Sequence, residues 1–119
     1  MSGRLVAKEI EDKIKLLEQG RAKLEQAGFE KAEQNGLYEK ALALTIMKLK
    51  NGEIMELEGE KIQDPPATIL EKIARGICYQ EKMNSELAET NYKSIIIKME
   101  AIQSELNAYQ SLYKSQVEI

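Results

Sequence analysis

ICYQEKMNSELAETNYKSIIIKMEAIQSELNAYQSLYKSQVEI, residues 77–119, is the stretch whose reading decides the fold. It contains neither glycine nor proline, and Ala88, Tyr92, Ile95, Met99, Ile102, Leu106, Tyr109 and Tyr113 succeed one another at alternating intervals of four and three. That spacing is the signature of a helix with one continuous stripe laid against another helix. The stripe Tyr92, Ile95, Met99, Ile102, Leu106, Tyr109 and Tyr113 is therefore the predicted packing and oligomerisation face.

The N-terminal half supplies a partner helix. Ser2 stands where a cap is needed, and Leu5, Val6, Ile10, Ile14, Leu17 and Leu24 recur at helical intervals among Lys and Glu. A second helical stretch, Leu37 to Leu49, puts Tyr38, Leu42, Thr45, Ile46 and Leu49 on one side. Gly28 and Gly36 between these stretches each cost about 1 kcal/mol relative to alanine inside a helix, so a joint near 28–36 competes with a continuous helix. The polar helix formers Glu30–Gln34 favour continuity.

Asn51-Gly52 stops this helix, since both residues tolerate the left-handed conformation of a helix end. In the segment that follows, Gly59 can turn a short hairpin between Ile54–Leu57 and Lys61–Ile62. Asp64-Pro65-Pro66 then predicts extended backbone, because each proline pushes its predecessor out of the helical region. Residues 67–76 read as a short helix ended by Gly76, with the long helix beginning at once. The expected architecture is a single all-α domain of residues 1–119. It comprises an N-terminal helix over 1–50, an irregular or short-hairpin segment within 51–66, a short connecting helix over 67–76 and a long helix over 77–117. The two long helices should run antiparallel as a helical hairpin.

The chain has 17 basic and 20 acidic side chains with signs interspersed, a formal charge of −3, and 43% apolar residues. Such a balance lacks the basic footprint of non-specific phosphate binding. Two long helices leave apolar positions uncovered, which predicts a dimer or higher oligomer. Cys78 is the single cysteine, so no intrachain disulfide can form, and the start MSGRLVAKEIEDKIK lacks the apolar run of a signal peptide. A soluble, cytoplasmic protein is expected. The longest purely apolar run, Ile95–Ile97, falls far short of the roughly 20 residues that cross a bilayer, so no membrane partner is expected.

Histidine is absent, which removes the commonest general base and, with one thiol, the usual nitrogen and sulfur metal sites. No catalytic, metal or cofactor-binding residue is assigned. Cys78 reads as a small buried hydrophobe, because a nucleophile would need a base. Glu86 and Glu89 read as a solvated helix face. The tyrosine series admits two readings, packing and a stacking platform for bases, and its place on the four–three stripe favours packing. Two features remain as candidate partner contacts. One is the acidic segment with Glu56, Glu58 and Glu60; the other is Arg75, beside a helix end where an anion could bind.

YEKALALTIMKLKNG (38–52), ATILEKIARG (67–76), ELAETNYKS (86–94) and MEAIQSELNAYQSLYK (99–114) resemble a group of small helical proteins encoded by phages and prophages among early genes for replication and recombination. The resemblance implies phage origin, a long helical hairpin and action by binding, with no catalytic residues to carry over. The segment Gly52–Pro66 is longer than that group's corresponding connection.

Three functions are weighed against one another. The leading one is a non-enzymatic interaction protein that self-associates and binds another protein, as an accessory of phage DNA metabolism or an inhibitor of a host enzyme or defence system. A nucleic-acid-binding accessory of recombination or replication is the alternative. A third class is an oligomeric binder of a small nucleotide-like ligand held by Arg75, Tyr79 or Tyr92. Loop recognition on a rigid hairpin favours the first.

Overall fold

A computed structural model describes residues 2–117. The elements are α1 (Gly3–Lys50), β1 (Met55–Leu57), β2 (Glu60–Ile62), α2 (Ala67–Ile77) and α3 (Tyr79–Val117), with β1 and β2 paired antiparallel. The chain is thus all-α, two long antiparallel helices with a short helix and a two-stranded hairpin in the connection. The expected start at residue 1 lies outside the described residues. Contacts divide the chain into two units. One takes α1 as far as Gly28 with α3 from Thr90; the other is Phe29–Glu89.

The start of α1 follows from Ser2, whose hydroxyl accepts a bond from the Leu5 N–H at 3.3 Å while its carbonyl accepts from Val6. Both bonds satisfy donors that a helix N-terminus otherwise leaves open. At the other end, Gly52 (φ +79°) donates to Leu49 O and Glu53 donates to Lys48 O, the paired bonds of a Schellman terminus. Between these ends α1 is one uninterrupted helix, with no joint at 28–36.

In the first unit, Gly3 lies against Gln116, Lys13 bonds Glu105, Gly20 faces Met99 and Gly28 faces Tyr92. Position on α3 falls as position on α1 rises, which is antiparallel pairing. Along α1 the residues at least half-buried include Val6, Ile10, Lys13, Leu17, Gly20, Leu24 and Ala27, again at intervals of four and three. Along α3 the predicted stripe faces inward: Leu106 is 5% exposed, and Tyr92, Ile95, Met99, Ile102 and Tyr109 are half-buried. Tyr113, at the end of the series, is exposed.

Two members of the face expected on α1 lie off it. Leu5 and Ile14 are exposed, because at 100° per residue they fall roughly 100° and 80° around the helix from Val6, whereas Leu17 and Leu24 return within about 20°. Their inner positions are taken by residues without an apolar signature. Gly20 and Gly28 are instead places of close approach. A Cβ at Gly20 would lie 3.0 Å from Met99 Cγ, and one at Gly28 would lie 3.4 Å from the Tyr92 ring, so α3 side chains rest on bare α1 backbone.

Two further expectations are corrected in the second unit. Gly76 does not end a helix. α2 continues to Ile77, and the break falls at Cys78 (φ −88°, ψ 24°), whose N–H still donates to Ala74 O while its own carbonyl accepts from Lys82. Helical bonding therefore spans the junction, and the long helix starts at Tyr79 rather than at residue 77. Asp64 is not extended but left-handed at φ +48°. Its carboxylate sits beside Gly52, in a conformation that aspartate adopts more readily than most residues. The core of this unit contains Leu49, Ala74, Cys78 and Thr45, all buried, with Thr45 Oγ1 3.3 Å from Cys78 Sγ.

Leu106→Ala should lower unfolding free energy by about 2–5 kcal/mol, since the side chain is almost wholly removed from solvent. Denaturant unfolding checks this, and an unchanged midpoint contradicts the assignment. A second expectation concerns alkali. The hydrogen bond to Glu105 at 2.7 Å raises the Lys13 pKa above its ordinary value, against an opposing effect of burial. A cation whose folded pKa is raised stabilises fully below the unfolded pKa and ceases to do so as pH climbs through the folded one. The melting-temperature gap between the native protein and Lys13→Met should therefore hold at neutral pH and narrow above pH of about 10.4.

Candidate docking surface

The hairpin grows from a two-residue loop. Leu57 pairs with Glu60, Glu56 with Lys61 and Met55 with Ile62, which leaves Glu58 and Gly59 as the turn. Both have positive φ, +51° and +79°, the requirement of a type I′ turn whose twist matches the strands. β1 therefore begins one residue later than the sequence suggests, and β2 one residue earlier. Glycine meets the requirement freely. Glutamate does not, and a side chain held in the left-handed region costs roughly 1–3 kcal/mol.

Strand alternation sorts the side chains. Met55, Leu57 and Ile62 are half-buried, and Glu56 and Lys61 are exposed as an opposite-charge cross-strand pair. The inward side rests on α2. A Cβ at Gly76 would lie 3.2 Å from Leu57 Cδ2 and 3.4 Å from Leu57 Cδ1, so the glycine is the seat of the leucine. A second tie holds the far end: Gln63 Nε2 donates to Gly52 O at 3.2 Å, joining the exit of β2 to the end of α1. The hairpin is pinned at its tip-side leucine and at its base.

This seat brings the candidate residues onto one piece of structure. Glu56, Glu58 and Glu60 are exposed on the strands and turn, and Arg75 is exposed in α2 next to the glycine under Leu57. Arg75 is already engaged, donating from Nη2 to Glu71 Oε1 at 2.7 Å one turn earlier. Its charge is therefore partly answered within α2, which weakens the anion site that residues 75–76 suggest. The junction offers little more, since the Cys78 N–H is bonded inside the helix.

The residues weighed for a nucleotide-like ligand have other surroundings. The Tyr92 ring lies over Gly28, and Tyr79 is exposed. Two open grooves are lined by other side chains. One, of about 260 Å³, runs between α1 and α2 along Ile46, Lys50, Ala67, Leu70 and Glu71. The other, of about 280 Å³, is bounded by Leu17, Arg21, Leu24, Ile96, Met99, Glu100 and Gln103. Among the described residues there is no cluster of three His, Cys, Asp or Glu side chains placed to hold a metal ion, and no helix is long and apolar enough to cross a membrane.

The leucine seat went unread in the sequence because Gly76 carries two meanings there, helix terminator and bare surface, and only the position of Leu57 decides between them. The seat predicts coupling. Gly76→Ala should be more favourable in a Leu57→Ala background than in the native chain, with an interaction free energy of about 0.5–3 kcal/mol. A double-mutant cycle by denaturant unfolding measures it, and additivity would place the hairpin elsewhere. Comparison of the chain with protein-family models, curated proteins and solved structures finds no match.

Proposed function

We propose that the chain is a non-enzymatic helical interaction protein that self-associates and acts by binding another protein through the 55–62 hairpin and the adjoining α2. The observation that carries this reading is Glu58 at φ +51°. Glycine or asparagine would make the same turn with less strain, so the glutamate weakens the turn in order to hold a carboxylate at the tip. Glu56 and Glu60 flank it, and the seat of Leu57 on Gly76 fixes all three with little entropy left to lose on docking. A rigid acidic tip suits a basic partner surface. Exposed Ile54 and Ile69, just before β1 and in α2, add apolar contacts in the same unit.

The likeness of residues 38–52, 67–76, 86–94 and 99–114 to phage early-region proteins supports a setting in the cytoplasm of a phage-infected host. The role there is an accessory of phage DNA metabolism or an inhibitor of a host enzyme or defence system. Pull-down from infected-cell lysate tests the docking surface. Replacing Glu56, Glu58 and Glu60 together by serine should change stability by only about 0.5 kcal/mol per site while removing proteins retained by the native chain. Unchanged retention, with loss on substitution along the long helices instead, would move the surface off the hairpin.

A further inference from the structure

α1 has a second apolar face within the unit Phe29–Glu89. Tyr38, Leu42, Thr45 and Leu49 point into the unit, half-buried or buried. On the opposite side Phe29, Leu37, Leu44 and Met47 are 73%, 48%, 45% and 58% exposed. At 100° per residue these four fall within an arc of about 80°. They form a stripe that the unit itself does not cover.

Charge along the same arc is ordered. Glu33 stands towards its N-terminal end and Lys40 towards its C-terminal end, both exposed, and neither is bonded to another described residue. Gly36 lies between them, and a Cβ there would meet nothing within 4 Å. At Gly20 and Gly76 a Cβ would crowd a side chain of this chain; at Gly36 it would not. Its presence in a helix interior weakens the helix without serving any internal contact.

We infer that this face is where a second copy of the chain docks, with the two α1 helices antiparallel about a two-fold axis at Gly36–Leu37. Turning the helix end for end about that point places Phe29 opposite the second copy's Leu44, and Glu33 opposite its Lys40. Phe29 thus meets an apolar residue and Glu33 its opposite charge, twice over by symmetry, while Leu37 falls beside Gly36 at the axis and Met47 opposite Gln26. The bare backbone of Gly36 lies at the axis, where two helices crossing closely have least room. The polarity of the charges selects the orientation, because a parallel pairing in register would set Glu33 against Glu33 and Lys40 against Lys40. This surface differs from the α3 stripe, which is turned toward α1 within the chain.

The inference rests on the self-association half of the proposed function. Sedimentation velocity at micromolar concentration and low salt tests it with the native chain, Glu33→Lys, Lys40→Glu and the double exchange. Each single substitution turns two attractions into repulsions and should weaken dimerisation by about tenfold. The double exchange should restore it. Orientation is read in a Cys78→Ser background by oxidation: Gly36→Cys, at the axis, should cross-link two copies, and Leu44→Cys, far from it, should not. Single charge variants that dimerise like the native chain, or cross-linking at 44 as strong as at 36, overturn the surface while leaving self-association standing. A native chain that stays monomeric overturns both, and the hairpin's role in partner binding is then judged separately by the pull-down.

Discussion

Everything in the first unit depends on how closely α3 approaches the backbone of α1. Met99 and Tyr92 are large side chains set directly over Gly20 and Gly28; a Cβ at Gly20 would force Met99 to shift, and one at Gly28 would just touch the Tyr92 ring. A glycine in a helix interior weakens it, and the loss is offset here by contact between a whole side chain and bare backbone. The helix pair is consequently fitted by shape as well as by apolar area. Lys13 belongs to the same inner series and escapes the penalty for a half-buried cation by bonding Glu105 across the pair.

The second unit repeats the device. Leu57 rests on Gly76 as Met99 rests on Gly20, and the small hairpin, marginal by itself, becomes a fixed projection. Its strained Glu58 is affordable only because Leu57, Gln63 and the Schellman end of α1 determine the turn from both sides. Rigidity supplied by helices and chemistry displayed on a tip is the division of labour expected of a recognition module.

The helical hairpin was legible because α3 announces its stripe with apolar residues at almost every inner position. On α1 the same four–three series runs through Lys13 and Gly20, which carry no apolar signal, while Leu5 and Ile14 lie off the face. The eye follows the leucines and misplaces the face by part of a turn. Ser2 and Asn51-Gly52 were readable as ends because capping is local chemistry. Gly76 and Asp64 are not legible in the same way, because their roles are set by Leu57 and by Gly52, partners more than ten residues away in sequence. The acidic tip is visible as composition, and the strain at Glu58 is not, because it follows from the register that pairs Leu57 with Glu60 across the strands.

The antiparallel pairing also orders the contacts by the length of chain they enclose. Thr45 with Cys78 closes a modest loop, Gly28 with Tyr92 a longer one, then Gly20 with Met99, Lys13 with Glu105, and finally Gly3 with Gln116, which encloses nearly the whole sequence. Each step formed in that order adds only a small increment of loop entropy to the one before, whereas Gly3 meeting Gln116 first would have to close almost the entire chain at once. Loop entropy by itself therefore favours pairing that proceeds from the turn toward the ends.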